Sequence, residues 1–234
     1  MQIIGNIRKL SLWIFILPFV AINSCLLISI NYEFLDGTIF SVDQLGRSNF
    51  VIPYIDGSLS ISRASRTFPQ YLIFKPSMVI CAIMLFFYWI NNNKLINNFY
   101  GTNNINYKFK IFGILSAVFL IIHSIFLGIK FDIQVYKLFR RVVLLLFIIF
   151  EIIAQGILVY NFYKLRSKIK NLFNFKILKI KIYLVSTLTI VAFLSIPLLV
   201  TKGNTHFKHA LEWNFFLGVI IFYLLTRFFW KRTT

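Results

Sequence analysis

Residues 10–30 read LSLWIFILPFVAINSCLLISI, a stretch without a single charged side chain. A helix needs about 20 mostly apolar residues to cross a hydrocarbon layer of about 30 Å, so this stretch predicts a membrane-spanning helix. Pro18 lies inside the stretch, where a proline kinks a spanning helix without ending it. Arg8 and Lys9 directly precede it, as basic residues commonly do at the ends of spans.

Five further apolar stretches follow, separated by more polar connections. We predict spans at about residues 10–30, 71–90, 110–129, 138–163, 182–201 and 213–230. The chain of 234 residues is 59% hydrophobic and 14% charged, which is too apolar for a water-soluble domain. The predicted fold is therefore an all-α integral membrane protein, in which residues 1–234 form one bundle of six transmembrane helices. A long first extracytoplasmic loop, residues 31–69, is the one connection large enough for a small folded element.

The basic residues predict the orientation of the chain. If the spans alternate in direction, the two termini, the second loop and the fourth loop share 15 Lys and Arg residues, and the other loops share 9. Cytoplasmic segments retain positive charge, so we expect both termini to be cytoplasmic, in the plasma membrane or an inner membrane. This count assigns Arg140 to the third loop and Lys181 to the fourth. Six acidic residues then fall on the extracytoplasmic side: Glu33, Asp36, Asp43, Asp56, Asp132 and Glu212.

Several classes of function lose support. The net charge of +18 does not indicate nucleic-acid binding, because the basic residues lie between apolar stretches as they do in membrane proteins. Cys25 and Cys81 lie inside apolar stretches without metal-ligand spacing, so we expect them to pack in the core and predict no metal. The chain has no P-loop, GxSxG, HExxH or dinucleotide motif, and no cofactor is predicted. The four tryptophans lie near span ends, a position typical of interfacial aromatic belts: Trp13, Trp89, Trp213 and Trp230.

Glu151 is the strongest candidate for a functional residue within the membrane. An ionisable group near the middle of a span is costly, by about 2.5–3.5 kcal/mol, unless it faces protein or water. Gln155 lies four residues later on the same helix face, and His123 on the preceding span can reach a comparable depth. We predict an intramembrane polar cluster of His123, Glu151 and Gln155. It is either a proton-transfer or lipid-headgroup site, or a hydrogen-bonded clamp between helices.

A second candidate site lies where the first loop meets the head of the last span. Arg63 and Arg66 can bind phosphate in bidentate fashion, while Asp56 and Glu212 can act as acid, base or cation ligand. We predict that Asp56, Arg63, Arg66 and Glu212 converge there as a ligand-binding site. Three further residues fall on the same side: Lys75, His206 and His209. The alternative is that these side chains are solvated at the membrane interface.

Short motifs in this arrangement resemble a known family. Pro53-Tyr54-Ile55-Asp56 and Phe68-Pro69-Gln70-Tyr71, with His123 in the third span and Glu212-Trp213 at the last, resemble the Frag/DRAM/Sfk family. This family includes the damage-regulated autophagy modulators and lipid-remodelling proteins that act after GPI attachment. The serine that precedes the aspartate in the family motif is missing here. The resemblance implies six spans with cytoplasmic termini, and a role in lipid remodelling, phosphoinositide organisation or autophagy.

Three hypotheses of function remain open. The first is a membrane protein that binds or organises lipid headgroups at the extracytoplasmic face, with membrane lipids as its partners and no nucleic acid. The second is a lipid acyl-remodelling enzyme that uses His123, Glu151 or Glu212 as general acid or base. The third is a small-solute or proton-coupled transporter, in which Glu151 lines a water-accessible path.

Overall fold

The computed structural model describes residues 2–35, 37–40, 52–100, 108–129, 134–169, 171–201 and 203–231. Within them the chain forms eight α-helices, one short 3₁₀ helix and no β-sheet. The α-helices are α1 (Gln2–Ile30), α2 (Pro53–Asp56), α3 (Ile61–Ser65), α4 (Gln70–Tyr100), α5 (Lys108–Phe126), α6 (Gln134–Leu165), α7 (Phe175–Val200) and α8 (Thr205–Phe229). Six of them, α1 and α4 to α8, are long and apolar enough to cross a membrane. The protein is therefore an all-α, multi-pass integral membrane protein, as the sequence predicts.

The six long helices form a closed ring. Each packs against the next in the order α1, α4, α5, α6, α7 and α8, and α8 packs against α1. Because consecutive spans run in opposite directions, both chain ends lie at the same end of the ring. We call this end the terminal face (residues 2–5 and 230–231). The opposite end is the loop face (residues 52–69 and 203–204).

Which face is cytoplasmic stays a prediction from the basic residues. Three of the acidic residues in that argument, Asp36, Asp43 and Asp132, lie outside the described residues. Glu33, Asp56 and Glu212 all lie towards the loop face, where α1 ends and α8 begins. The structure therefore places the described acidic residues other than Glu151 on one side of the ring.

Helix α4 continues beyond its predicted span. The predicted span ends at residue 90, so that the next residues fall in the second loop, but the helix continues to Tyr100. Asn92, Leu95 and Ile96 are buried, so the helical period of inward-facing residues persists after the hydropathy falls. The Asn92 side-chain amide donates to Tyr88 O at 2.9 Å, one turn earlier in the helix. Periodicity therefore indicates the end of α4 better than hydropathy does.

Helix α7 lies at the periphery of the ring. Helices α6 and α8 meet in front of it, since Gln155 Nε2 donates to Val219 O at 3.3 Å. The half of α7 towards the loop face exposes most of its side chains, with Phe193 69% and Leu194 71% exposed. Residues this apolar face lipid rather than water in a spanning helix.

Three of the four tryptophans are buried, which corrects the prediction that they belong to aromatic belts. Trp89, Trp213 and Trp230 are at most 1% exposed, and only Trp13 is largely exposed, at 55%. Each buried ring has a packing role. The indole of Trp89, for example, lies where a side chain on Gly113 would otherwise be, so α4 and α5 approach closely at this point.

Candidate functional site

The first loop folds into two short helices on the loop face. Helix α2 begins with Pro53 and ends at Gly57, whose φ of 60° is left-handed and favours glycine. Helix α3 begins after Ser60, whose side-chain oxygen accepts from the Arg63 backbone N–H at 3.1 Å. Proline at the start, glycine at the end and a serine cap therefore determine both helices locally.

These helices dock onto the first turns of α8. Trp213 Nε1 donates to Leu59 O at 2.7 Å, and the His209 ring nitrogen Nδ1 lies 2.9 Å from Gly57 O. Gly57 packs so closely that a Cβ atom there would lie 1.7 Å from the carbonyl oxygen of His206. A larger residue would therefore separate α2 from α8.

Helix α1 holds the other side of this loop structure. Ser29 Oγ lies 3.2 Å from Ala64 O in α3, and the Tyr54 hydroxyl donates to Asn23 Oδ1 at 3.1 Å. Residues 52–65 thus form a cap over the ring, anchored to both α1 and α8. We call this segment the loop cap.

Three arginines come together beside the loop cap. Burial, followed by the positive charges of Arg63 and Arg140, lowers the pKa of the Arg66 guanidinium. The Nε atom of Arg140 is buried and has no hydrogen-bond partner among the described residues. None of the three guanidinium groups forms an ion pair with a carboxylate in this part of the chain. The arginine cluster (Arg63, Arg66 and Arg140) therefore has no carboxylate partner among the described residues.

The two predicted carboxylates occupy different positions at the loop cap. Glu212 lies in the first third of α8 and interacts with the backbone N–H of Ser62 in α3. Asp56 is exposed and accepts from Ser58 N at 2.8 Å and Ile52 N at 3.0 Å. The hydrogen bond from Ser58 is the main reason that the pKa of the Asp56 carboxyl lies below its ordinary value.

The structure therefore brings the four predicted residues together only in part. Arg63 and Arg66 are neighbours, and Glu212 contacts α3 one residue before Arg63. Among the described residues no hydrogen bond or ion pair joins Asp56 to the other three. Lys75 lies on the same side of the ring, where its Nζ donates to Ile125 O near the end of α5 at 3.3 Å.

An elongated cavity lies beneath the loop cap at the centre of the ring. Side chains of α1, α3, α4, α5, α6 and α8 line it, and none of α7 does. The space open to the centres of water molecules is about 80 Å³, several times the roughly 10–15 Å³ that one water molecule needs. Four of its lining residues have polar nitrogen or oxygen atoms in their side chains: His123, Glu151, Glu212 and Tyr223.

The two carboxyl groups mark the ends of this cavity. Glu212 and Tyr223 lie eleven residues apart on one face of α8, which corresponds to about 16 Å along the axis. The Tyr223 hydroxyl donates to Glu151 Oε1, so Glu151 lies at the depth of Tyr223. A length of about 16 Å is half of the roughly 30 Å hydrocarbon thickness. The cavity therefore extends through about one leaflet, from the loop cap to the middle of the membrane.

Glu151 is fully buried in a network that joins three helices. Its carboxylate accepts from Ser116 Oγ of α5 at 2.5 Å, from Gln155 Nε2 at 3.0 Å and from the Tyr223 hydroxyl of α8. The structure thus brings Glu151 and Gln155 together. It places His123 on the wall of the same cavity, where the Nδ1 atom of His123 has no hydrogen-bond partner among the described residues.

Sequence reasoning missed Lys181. It was counted with the fourth loop, but it lies in α7 and is only 1% exposed. Its Nζ donates to Thr226 Oγ1 at 2.7 Å and lies 3.8 Å from the centre of the Phe222 ring. The Tyr88 hydroxyl lies 3.3 Å from the same Thr226 oxygen. No pattern in the sequence distinguishes Lys181 from the solvated lysines around it.

Comparison with known proteins gives no relative. No protein-family model, curated protein or solved structure matches the chain. The resemblance to the Frag/DRAM/Sfk family, based on the short motifs quoted above, therefore stays a prediction. The function must be inferred from the geometry of the loop face and the cavity.

Proposed function

We propose that the protein binds a phospholipid at the loop face, with the lipid phosphate at the arginine cluster. One observation carries this proposal: Arg63 and Arg140 both lie close enough to Arg66 for their charges to act on it, and none of the three has a carboxylate partner among the described residues. Guanidinium groups match the geometry of phosphate oxygens and bind them with charge-assisted hydrogen bonds. A phosphate would relieve the repulsion between these cations.

The position of the cluster suits a lipid headgroup. The cluster lies at the loop face, beside a cavity whose walls are almost entirely apolar. A phospholipid has charged and apolar parts in the same order, with its phosphate at the membrane surface and its methylene chains below. Glu212, at the upper end of the cavity, provides an acceptor for a hydroxyl or amine of the headgroup.

The test compares lipid retention by variants of neighbouring arginines. The protein is purified from membranes containing phosphatidylglycerol and phosphatidylcholine, and bound lipid is counted by native mass spectrometry. We expect the double variant Arg66→Gln/Arg140→Gln to retain at least about tenfold less phospholipid, which corresponds to about 1.4 kcal/mol. Arg141→Gln is the matched control, because Arg141 is exposed and adjacent to Arg140 in the chain. Equal retention by the two variants would refute the headgroup site.

An acyl-remodelling enzyme is the second candidate. The observation in its favour is that the His123 side chain lines the cavity and that its buried Nδ1 atom has no hydrogen-bond partner among the described residues, so the imidazole can act as a general base towards a lipid ester. Purified protein would be incubated with phospholipid carrying a labelled acyl chain. Release or transfer of the label by the wild type, and its loss in His123→Phe, would favour the enzyme. Bound but unchanged lipid would favour the binding protein.

A further inference from the structure

Five long helices line the cavity. Three of them close it off with buried side chains, whereas the other two leave part of it accessible. Its lining residues on α1, α4 and α5 are all buried. The half-exposed lining residues are on α6 and α8: Leu144, Phe147, Ile148, Glu212 and Phe216. Since a residue that both lines a cavity and has accessible surface marks its opening, the opening lies between α6 and α8.

The loop cap rules out a wide opening at the top of the ring. Ile61 of α3 lines the upper end of the cavity and is 8% exposed, so the cap covers the centre of the loop face. Leu144 lies almost two turns from Glu151 along α6, and Phe216 is about two turns from Tyr223 along α8. The open side therefore lies in the half of the ring towards the loop face, above the contact between Gln155 and Val219.

Helix α7 lies beside this opening. It is the ring neighbour of both α6 and α8, but it contributes no residue to the cavity wall. Between residues 190 and 198 only the Ser195 side chain is buried. Large apolar side chains such as Phe193 and Leu194 face outward on this part of α7, where lipid chains surround them. The surface of α7 beside the opening therefore faces the hydrocarbon of one leaflet.

We propose that the cavity opens sideways into the membrane between α6 and α8 and admits one acyl chain from the leaflet on the loop-face side. The identity of the occupant rests on the proposed function, since the lipid that inserts its acyl chain here would place its phosphate at the arginine cluster. Three features identify a chain rather than a polar solute: the apolar wall, the length of about one leaflet and the apolar surroundings of the opening. Lateral entry also lets the headgroup stay at the membrane surface while the chain moves.

Cys81 provides a reporter inside the cavity. It lies on the α4 wall, opposite the opening, and is 3% exposed. Cys25, the other free cysteine, would be replaced by Ser, because its thiol donates to Gln70 O and a hydroxyl can do the same. The protein in liposomes would be treated with N-dodecylmaleimide, or with a membrane-impermeant sulfonated maleimide, and adducts at Cys81 followed by mass spectrometry. A Cys81→Ser variant confirms the labelled position.

We expect the dodecyl reagent to label Cys81 at least tenfold faster than the sulfonated reagent. Leu144→Trp, which places a bulky ring in the opening, should slow the dodecyl reaction at least fivefold. Leu145→Trp is the matched control, since Leu145 is exposed and does not line the cavity, and it should leave the rate unchanged. Because a buried thiol reacts slowly, the comparison between variants decides: equal dodecyl rates in both tryptophan variants, or faster labelling by the sulfonated reagent, would each overturn lateral entry.

The same experiment separates this inference from the proposed function. In Arg66→Gln/Arg140→Gln the dodecyl reaction should proceed at the wild-type rate, because the reagent has no phosphate. Normal labelling together with normal lipid retention in that variant would reject the headgroup site and retain the opening. Loss of lipid retention in that variant, together with equal dodecyl rates in the two tryptophan variants, would reject the opening and retain the headgroup site.

Discussion

The two halves of the ring differ in how far their buried polar side chains are hydrogen-bonded. In the half near the terminal face, Glu151 and Lys181 have hydrogen-bond partners on neighbouring helices, and large aromatic rings fill the remaining space. In the half near the loop face there are a cavity, a peripheral α7 and an imidazole whose Nδ1 has no partner in the part of the chain that the structure describes. The half near the terminal face therefore holds the helices together, whereas the half near the loop face has the space and the unpartnered groups that a ligand can use.

Aromatic packing strengthens the terminal half. The rings of Phe162, Phe173, Phe229 and Trp230 form a continuous series in which neighbouring centroids are 4.7–5.4 Å apart. Such pairs contribute about 0.5–1.5 kcal/mol each beyond the area they bury. Four predictions test the contrast between the halves, in order of decreasing expected effect.

The largest difference is expected for added volume. Gly113→Ala places a methyl group 2.3 Å from the Trp89 ring in the terminal half and should destabilise the protein by about 2–3 kcal/mol. Val219→Leu adds a methylene group at the cavity and should change stability by less than about 1 kcal/mol. Thermal unfolding in detergent micelles measures both. Similar losses in the two variants would show that the cavity half is as tightly packed as the terminal half.

Removal of one polar group gives a smaller contrast. Tyr223→Phe deletes a hydroxyl that donates to the buried Glu151 carboxylate, and should cost about 1–3 kcal/mol because an acceptor loses its donor. His123→Phe keeps an aromatic ring of similar size and should cost less than about 1 kcal/mol, since Nδ1 has no partner to lose. Unfolding in a graded series of denaturing detergent provides the measurement. A cost for His123→Phe as large as that for Tyr223→Phe would contradict the contrast.

A double-variant cycle tests Lys181 and Thr226. Lys181→Met removes a buried amine and keeps an unbranched side chain of similar length, so stability should change by less than about 1 kcal/mol. Thr226→Val leaves the Lys181 amine without its acceptor and should cost about 1–2 kcal/mol. In the double variant most of that cost should disappear. Additive costs in the thermal unfolding of the three variants would show that the two side chains do not interact.

The smallest effect is expected at Asp56, which is exposed on the loop cap. Because its pKa is lowered in the folded protein, its contribution is present above the ordinary pKa of Asp and is lost as the pH falls through the lowered value. The protection of the Ser58 backbone amide against hydrogen exchange, measured relative to its intrinsic exchange rate at each pH, should therefore fall on acidification. Asp56→Ala should show the lower protection already at neutral pH, whereas Asp56→Asn, which retains a side-chain acceptor, should lose less protection. Identical exchange in wild type and Asp56→Ala would exclude this local role.

The residues of the candidate site differ in how far the sequence predicts them. Glu151 was predictable, because a carboxylate in the middle of an apolar stretch must face protein or water. Arg140 and Lys181 were not, because each lies near the predicted end of a span, where a basic side chain usually reaches the interface. Their burial follows from the helices that pack against them. Local composition contains no information about those helices.

The sequence by itself determined the all-α fold and the six spans, since the hydrocarbon layer requires long apolar helices whose backbone groups are satisfied internally. It also determined the local form of α2 and α3, through Pro53, Gly57 and Ser60. Only the tertiary structure decided that these helices cap the ring, that Arg140 joins Arg63 and Arg66, and that α7 stays outside the cavity. These features depend on contacts between residues far apart in the chain, and such contacts follow from how the helix faces pack rather than from the hydropathy of any one helix.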